Sequence, residues 1–223
     1  MATKTKTKQQ ETTTITVTRL ETETILIKLV GDSDLILNKM TDSTAREMTA
    51  DDRKKAHTEE ENTRNPWEDA ITALHWRDPK PYKDKSECTE EMFLDMLYKS
   101  NAPCISAHGL KESWKSAVVR MGLDTYSTKF DFQVNINHDL LPITFAAYER
   151  DVKAMKQKQG NSMLTAKLHR FSGWECIVPV TYIKNGVYGL STILTVVENA
   201  GFGLGIGSGT KSGYGRYHIE NVG

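Results

Sequence analysis

Seven of the chain's 15 glycines fall in one stretch, "AGFGLGIGSGTKSGYGRYHI", from Ala200 to Ile219. Glycine loses more backbone freedom on folding than any other residue. A run this dense therefore belongs in an ordered chain where the backbone must turn through positive φ or pass close to another backbone. The preceding "YGLSTILTVVENAG" has the spacing of a helix ending at Gly201, and the following "GRYHIENV" reads as a strand. The run is thus a loop from a helix into a final strand. That placement excludes two nucleotide-cofactor loops: the P-loop carries Gly-Lys-Ser/Thr into a helix, and the dinucleotide fingerprint follows a strand and opens a helix. No cofactor is implied.

Upstream, "TITVTRLETETILIKLVG" from Thr14 alternates apolar and polar residues and predicts one long strand or a hairpin. "SAHGLKESWKSAVVRMG" predicts a helix with Leu110, Trp114, Ala117, Val118 and Met121 on one face and Gly122 ending it. "TEEMFLDMLYKS" predicts a shorter helix with Thr89 as its N-cap, and "TKFDFQVNIN", "LPITFAA" and "WECIVPVTYI" predict strands. With insertions set aside, the order is strand, helix, strand, strand, helix, strand. That order predicts an α+β fold, ferredoxin-like or RRM-like, with an antiparallel sheet and helices on one face. The expected organisation is a polar arm at 1–12 and a single domain over 13–223. Within it lie a large peripheral insertion at about 40–100 and a basic finger or hairpin at about 150–170.

The 223 residues carry 29 basic and 29 acidic side chains, so the molecule as a whole is no general polyanion binder. The charges are segregated, however. Residues 41–70 hold nine carboxylates against five Lys or Arg, whereas 150–170 hold six basic residues against one acid. No apolar run is long enough to span a bilayer, and the first residues lack the apolar centre of a signal peptide, which predicts a cytoplasmic protein without a membrane partner. Three widely spaced cysteines, Cys88, Cys104 and Cys176, suit neither a disulfide framework nor a zinc site, and the scattered histidines suggest no metal cluster.

The helix, "GLGIGSGTKSGYGRYHI" and strand together resemble the carboxy-terminal glycine-rich loop of the RAMP superfamily, the RRM-like proteins of CRISPR effector complexes. The matching residues are Gly203, Gly205, Gly213, Tyr214, Gly215 and Arg216. "LVGDSDLILNKM" is similar to the segment carrying a short acidic loop in the repeated backbone subunit of those complexes. "APCISAHGLKESWKSAVVRMG" is similar to the element that opens the family's first helix, through Leu110, Lys111 and a later basic residue, Lys115 or Arg120. His108 and Gly109 stand where serines are usual, and Glu112 replaces a glycine. The pattern also looks like that of uncharacterised phage proteins with the same terminal loop.

The resemblance implies a non-catalytic subunit that binds single-stranded nucleic acid, RNA favoured over DNA, and assembles as a homo-oligomer or filament, with or without other effector subunits. Elementary chemistry selects the candidate contacts. The start of the helix near His108, with Lys111, Lys115 and Arg120, suits phosphate. Lys153, Lys156, Lys158, Lys167 and Arg170 line the basic segment. Gly205 and Gly207 allow close backbone approach, while Lys211, Tyr214 and Arg216 offer charge and stacking. Two alternatives remain open. One is a metal-independent endoribonuclease using His108 and His169 as acid and base; separately, Asp32 and Asp34 lie where some RAMP backbone subunits place a cleaving aspartate, a position that a turn-forming Asp also explains. The other is a phage structural or interaction protein that binds no nucleic acid.

Overall fold

Strand β1 (Thr22–Gly31) lies between β9 (Glu175–Ile183) and β10 (Tyr217–Asn221), and β5 (Val134–Ile136) flanks β9 on its far side, all antiparallel. With helix α3 (Ala107–Arg120) between β1 and β5 and helix α5 (Leu190–Gly203) between β9 and β10, this is the ferredoxin-like α+β order. The structure, a computed structural model, describes residues 19–44, 65–78, 81–156 and 163–221, without the side chains of 151–156, 163–167 and 221. The expected arm at 1–12 and the start of the amino-terminal alternating run lie outside the described residues.

The burial pattern follows from the period of each element. Ile27 and Leu29 of β1 and Cys176, Val178, Val180 and Tyr182 of β9 alternate onto one face of the sheet. Leu110, Trp114, Ala117 and Val118 of α3 and Ile193, Val196, Val197 and Ala200 of α5 recur at three- and four-residue spacing to cover that face. Ser106 caps α3 by accepting from the Gly109 N–H at 3.4 Å, and Gly122 follows the helix at φ 69°. At the centre of the layer the Trp114 indole N–H donates to the Tyr217 hydroxyl at 3.0 Å, joining α3 to β10 where both rings are buried.

Beyond β9 the sheet continues through β6 (Leu140–Thr144), β4 (Pro103–Ser106) and β3 (His75–Trp76). Here α1 (Pro66–Thr72) and α2 (Glu90–Asp95), which runs into a π-helical turn at Met96–Ser100, bring Ala70, Ile71, Phe93 and Leu97 into the same core. Asn65 caps α1, and Thr89 caps α2 as expected. A second, three-stranded sheet is formed by β2 (Leu35–Leu37), β8 (Met163–Ser172) and β7 (Ala147–Lys156), the last two being the arms of the basic segment.

One expected strand is partly a helix. "TKFDFQ" forms α4 (Thr128–Gln133), and only Val134–Ile136 is extended. Alternation of Phe130 and Phe132 imitates a strand, yet Phe132 is 75% exposed, and the buried pair is Phe130 and Gln133, three apart. Gln133 decides the outcome: its amide accepts from the Tyr188 N–H at 2.8 Å and donates to the Ile183 carbonyl at 3.2 Å. The short strands β3 and β4 carry no alternation that the sequence could display.

Candidate nucleic-acid interface

The glycine loop leaves α5 with the Gly205 N–H bonded to the Ala200 carbonyl at 2.8 Å and folds back on itself through Ile206 N–H to Gly215 C=O at 3.0 Å. It is then laced to the turn between β1 and β2. Ser208 N–H donates to Ile36 C=O at 2.8 Å, Gly215 N–H to Asp34 C=O at 2.8 Å, and the Ser33 hydroxyl to Gly213 C=O at 2.8 Å. Two glycines are obligatory for contact as well as conformation. Gly207 has φ 77°, and a Cβ there would lie 2.5 Å from the Ile36 carbonyl; Gly215 has φ 69°, and its Cβ would collide with the Ile206 carbonyl. The glycines are therefore first a packing device, which holds the loop against two other segments.

That packing forms a groove of about 550 Å³ between the loop and α3. Gly109, Ser113, Ser116 and Arg120, on one face of α3, make one wall, and residues 204–208 with Thr210 make the other. The Ser113 hydroxyl donates to Gly205 C=O at 3.0 Å and ties the walls together. Lys39, just past β2, and His75 line the same groove. Burial, with Lys39 nearby, holds the His75 pKa below the ordinary imidazole value. Among the described residues neither Lys39 nor Arg120 enters a salt bridge, and both are exposed. Hydroxyls, backbone amides at a glycine loop and two free cations are the groups that bind phosphate and sugar.

The remaining candidates divide. His108 is exposed in the first turn of α3. Lys111 and Lys115 are not free: Lys111 pairs with Asp131 of α4 at 3.0 Å, and Lys115 with Glu112 at 2.7 Å and Asp131 at 3.7 Å. Gly205 and Gly207 line the groove, and Lys211 is exposed on the loop's outer turn. Arg216 donates through Nη2 to the Thr210 carbonyl at 3.2 Å, while its Nη1 is buried without a hydrogen-bond partner. Arg170 of β8 reaches the loop, its guanidinium 6.0 Å from the Tyr214 ring, and also pairs with Glu149 at 3.3 Å. Lys153, Lys156 and Lys167 lie on the backbone of β7 and β8, with side chains outside those described, and Lys158 lies outside the described residues.

The histidine pair expected of a ribonuclease is not assembled. His169 is 0% exposed, with Nδ1 2.8 Å from the Tyr148 hydroxyl and its ring against Phe93, and burial pushes its pKa down to about 4. It cannot meet a substrate beside exposed His108. Asp32 instead pairs with His218, Oδ1 to Nδ1 at 2.6 Å, and Asp34 serves the loop through its backbone carbonyl. The open face of the sheet is no stacking platform either. Its described centre is aliphatic, with Leu26 and Ile177 about half exposed, and Lys28 is held between Glu175 at 3.0 Å and Glu220 at 3.2 Å. RRM sheets stack bases on aromatic rings; the ring on this face is His218, on edge strand β10, and it is tied to Asp32.

Sequence reasoning did not single out Lys39, His75 or Ser113. Lys39 and Ser113 lie in stretches with a signal, "LVGDSDLILNKM" and "APCISAHGLKESWKSAVVRMG", whereas His75 lies in neither. The three cysteines are buried and unpaired, with burial raising the Cys88 thiol to about 11 and Cys104 and Cys176 to about 12. Among the described residues no group of three or more His, Cys, Asp or Glu is placed to hold a metal ion, and no helix is long and apolar enough to cross a membrane.

An α+β domain of ferredoxin-like order with a loop-and-helix groove is the class that fold and site define. No protein-family model matches the chain, and no curated protein matches it. Among solved structures it is similar to the crystal structure of Cmr6 from Pyrococcus furiosus. The identity is 11%, over 91% of this chain and 100% of that one, with a TM-score of 0.46.

Proposed function

We propose that this chain is a non-catalytic, RAMP-type protein of the cytoplasm that binds single-stranded nucleic acid, RNA in preference to DNA. It assembles with further copies of itself, or with other effector subunits, along the strand. One observation carries the reading. Three stretches that resemble RAMP elements separately, the turn at residues 31–40, the opening of α3 and the glycine loop, converge on one groove. Lys39 and Arg120 supply charge at that groove, and Ser113, Ser116, Ser208 and Thr210 supply hydroxyls. Lys211 and Arg216 extend the positive surface along the loop, and Arg170 with Tyr214 lies next to it.

Filter binding of single-stranded RNA and DNA across a salt series tests this. For single strands the logarithm of the binding constant falls against the logarithm of salt with a slope of about −0.7 for each neutralised phosphate. Lys39→Gln and Arg120→Gln are each expected to weaken binding and flatten that slope by about 0.7. A negligible signal at every salt concentration refutes the reading and leaves a structural or interaction protein. Electron microscopy of the same preparation with RNA tests assembly: rings or filaments support it, and monomers refute it.

A further inference from the structure

Lys111 and Lys115 stand one turn apart on the same face of α3, and their ammonium groups share a single carboxylate. Lys111 Nζ lies 3.0 Å from Asp131 Oδ1 and donates to the Asp131 backbone carbonyl at 3.0 Å, while Lys115 Nζ faces Asp131 Oδ2 at 3.7 Å. This is no chance meeting of loose side chains. Asp131 is delivered by α4, which is fastened by fully buried Phe130, packed on Tyr188 with ring centroids 5.8 Å apart, and by the Gln133 amide. Each lysine side chain is only 20% exposed. Glu112, the nearer partner of Lys115, lines the groove, whereas Lys111 and Lys115 lie on another face of α3 and meet the groove's edge through Glu112.

A carboxylate spreads one negative charge over two oxygens, and a phosphodiester presents one negative charge over two non-bridging oxygens. We propose that Lys111 and Lys115 form a phosphate subsite of the interface, which the Asp131 carboxylate occupies in the free protein and which a phosphodiester takes by displacing it. The inference rests on the nucleic-acid reading and adds a built-in competitor to it. Pairs exposed to this degree contribute about 0.2–1 kcal/mol each, so the competitor is weak enough to be displaced.

The test is Asp131→Asn, which keeps the side-chain shape and the backbone acceptor but removes the charge. Filter binding to single-stranded RNA is expected to tighten by about 2- to 30-fold. The salt slope is expected to steepen by about 0.7, the contribution of released Lys111, since Glu112 still holds Lys115 at 2.7 Å. Adding Lys111→Gln and Lys115→Gln to the variant should abolish the gain. Wild-type binding with no gain in a folded D131N protein overturns this inference alone; no binding by either protein overturns it together with the function. A second measurement needs no variant. The lysines hold the Asp131 carboxyl below the usual carboxylate range, and NMR titration should find it returning toward that range when RNA binds. An unchanged titration on RNA binding counts against displacement.

Discussion

Replacing Gly215 with alanine tests whether the glycine loop is a packing device. The residue has φ 69°, where an L side chain costs about 1–2 kcal/mol, and the new Cβ points into the Ile206 carbonyl. Relieving such overpacking costs about 1–3 kcal/mol more, because Ile206 N–H is bonded to the Gly215 carbonyl at 3.0 Å and Gly215 N–H to Asp34 at 2.8 Å, so neither side can retreat cheaply. Together these give a loss of about 2–5 kcal/mol, which for a domain of this size lowers Tm by about 4–20 °C. The control is Gly203→Ala, at the end of α5, where a Cβ meets nothing within 4 Å. That change should be neutral or stabilising by up to about 1 kcal/mol, since alanine is the better helix former. Thermal melts and urea titrations of both variants give the answer. Equal effects at the two positions, or a G215A protein as stable as wild type, would refute the argument from geometry.

Two further outcomes are expected. Tyr217→Phe leaves the Trp114 indole N–H buried without its acceptor and should destabilise by about 1–3 kcal/mol, read as a lower urea midpoint at unchanged m. His169 is held neutral in the fold with a pKa of about 4, against 6.5 for the ordinary imidazole. The unfolded chain therefore takes up the extra proton first as pH falls below 6.5, and stability drops by about 3 kcal/mol on approaching pH 4. A His169→Phe protein should lack that part of the slope between those pH values, and a slope identical to wild type would show that the ring does not titrate on unfolding.

Legibility followed the range of the interactions. The α3 face of Leu110, Trp114, Ala117 and Val118 is a local period and is buried as read. The helix-loop-strand context of the glycines is equally local, and it holds, with α5 reaching Gly203 rather than Gly201. By contrast, α4 looked extended because Phe130 and Phe132 alternate. What folds it is a contact between Gln133 and Tyr188, 55 residues away. The candidate site shows the same division. Lysines on α3 read as phosphate contacts, but the carboxylate between them comes from another helix. His169 read as an accessible base, but α2 and β7 bury it beneath Phe93 and Tyr148.

By itself, then, the sequence determined the α+β order and the place of the glycine loop between a helix and the last strand. It did so because periodicity and glycine conformation are properties of neighbouring residues. Tertiary structure alone decided which surface carries free cations. Whether a lysine or histidine faces solvent depends on segments distant in the chain: Asp131 against Lys111, Glu175 and Glu220 against Lys28, and the β1–β2 turn against the loop. Charge and burial act through space, and chain order records neither.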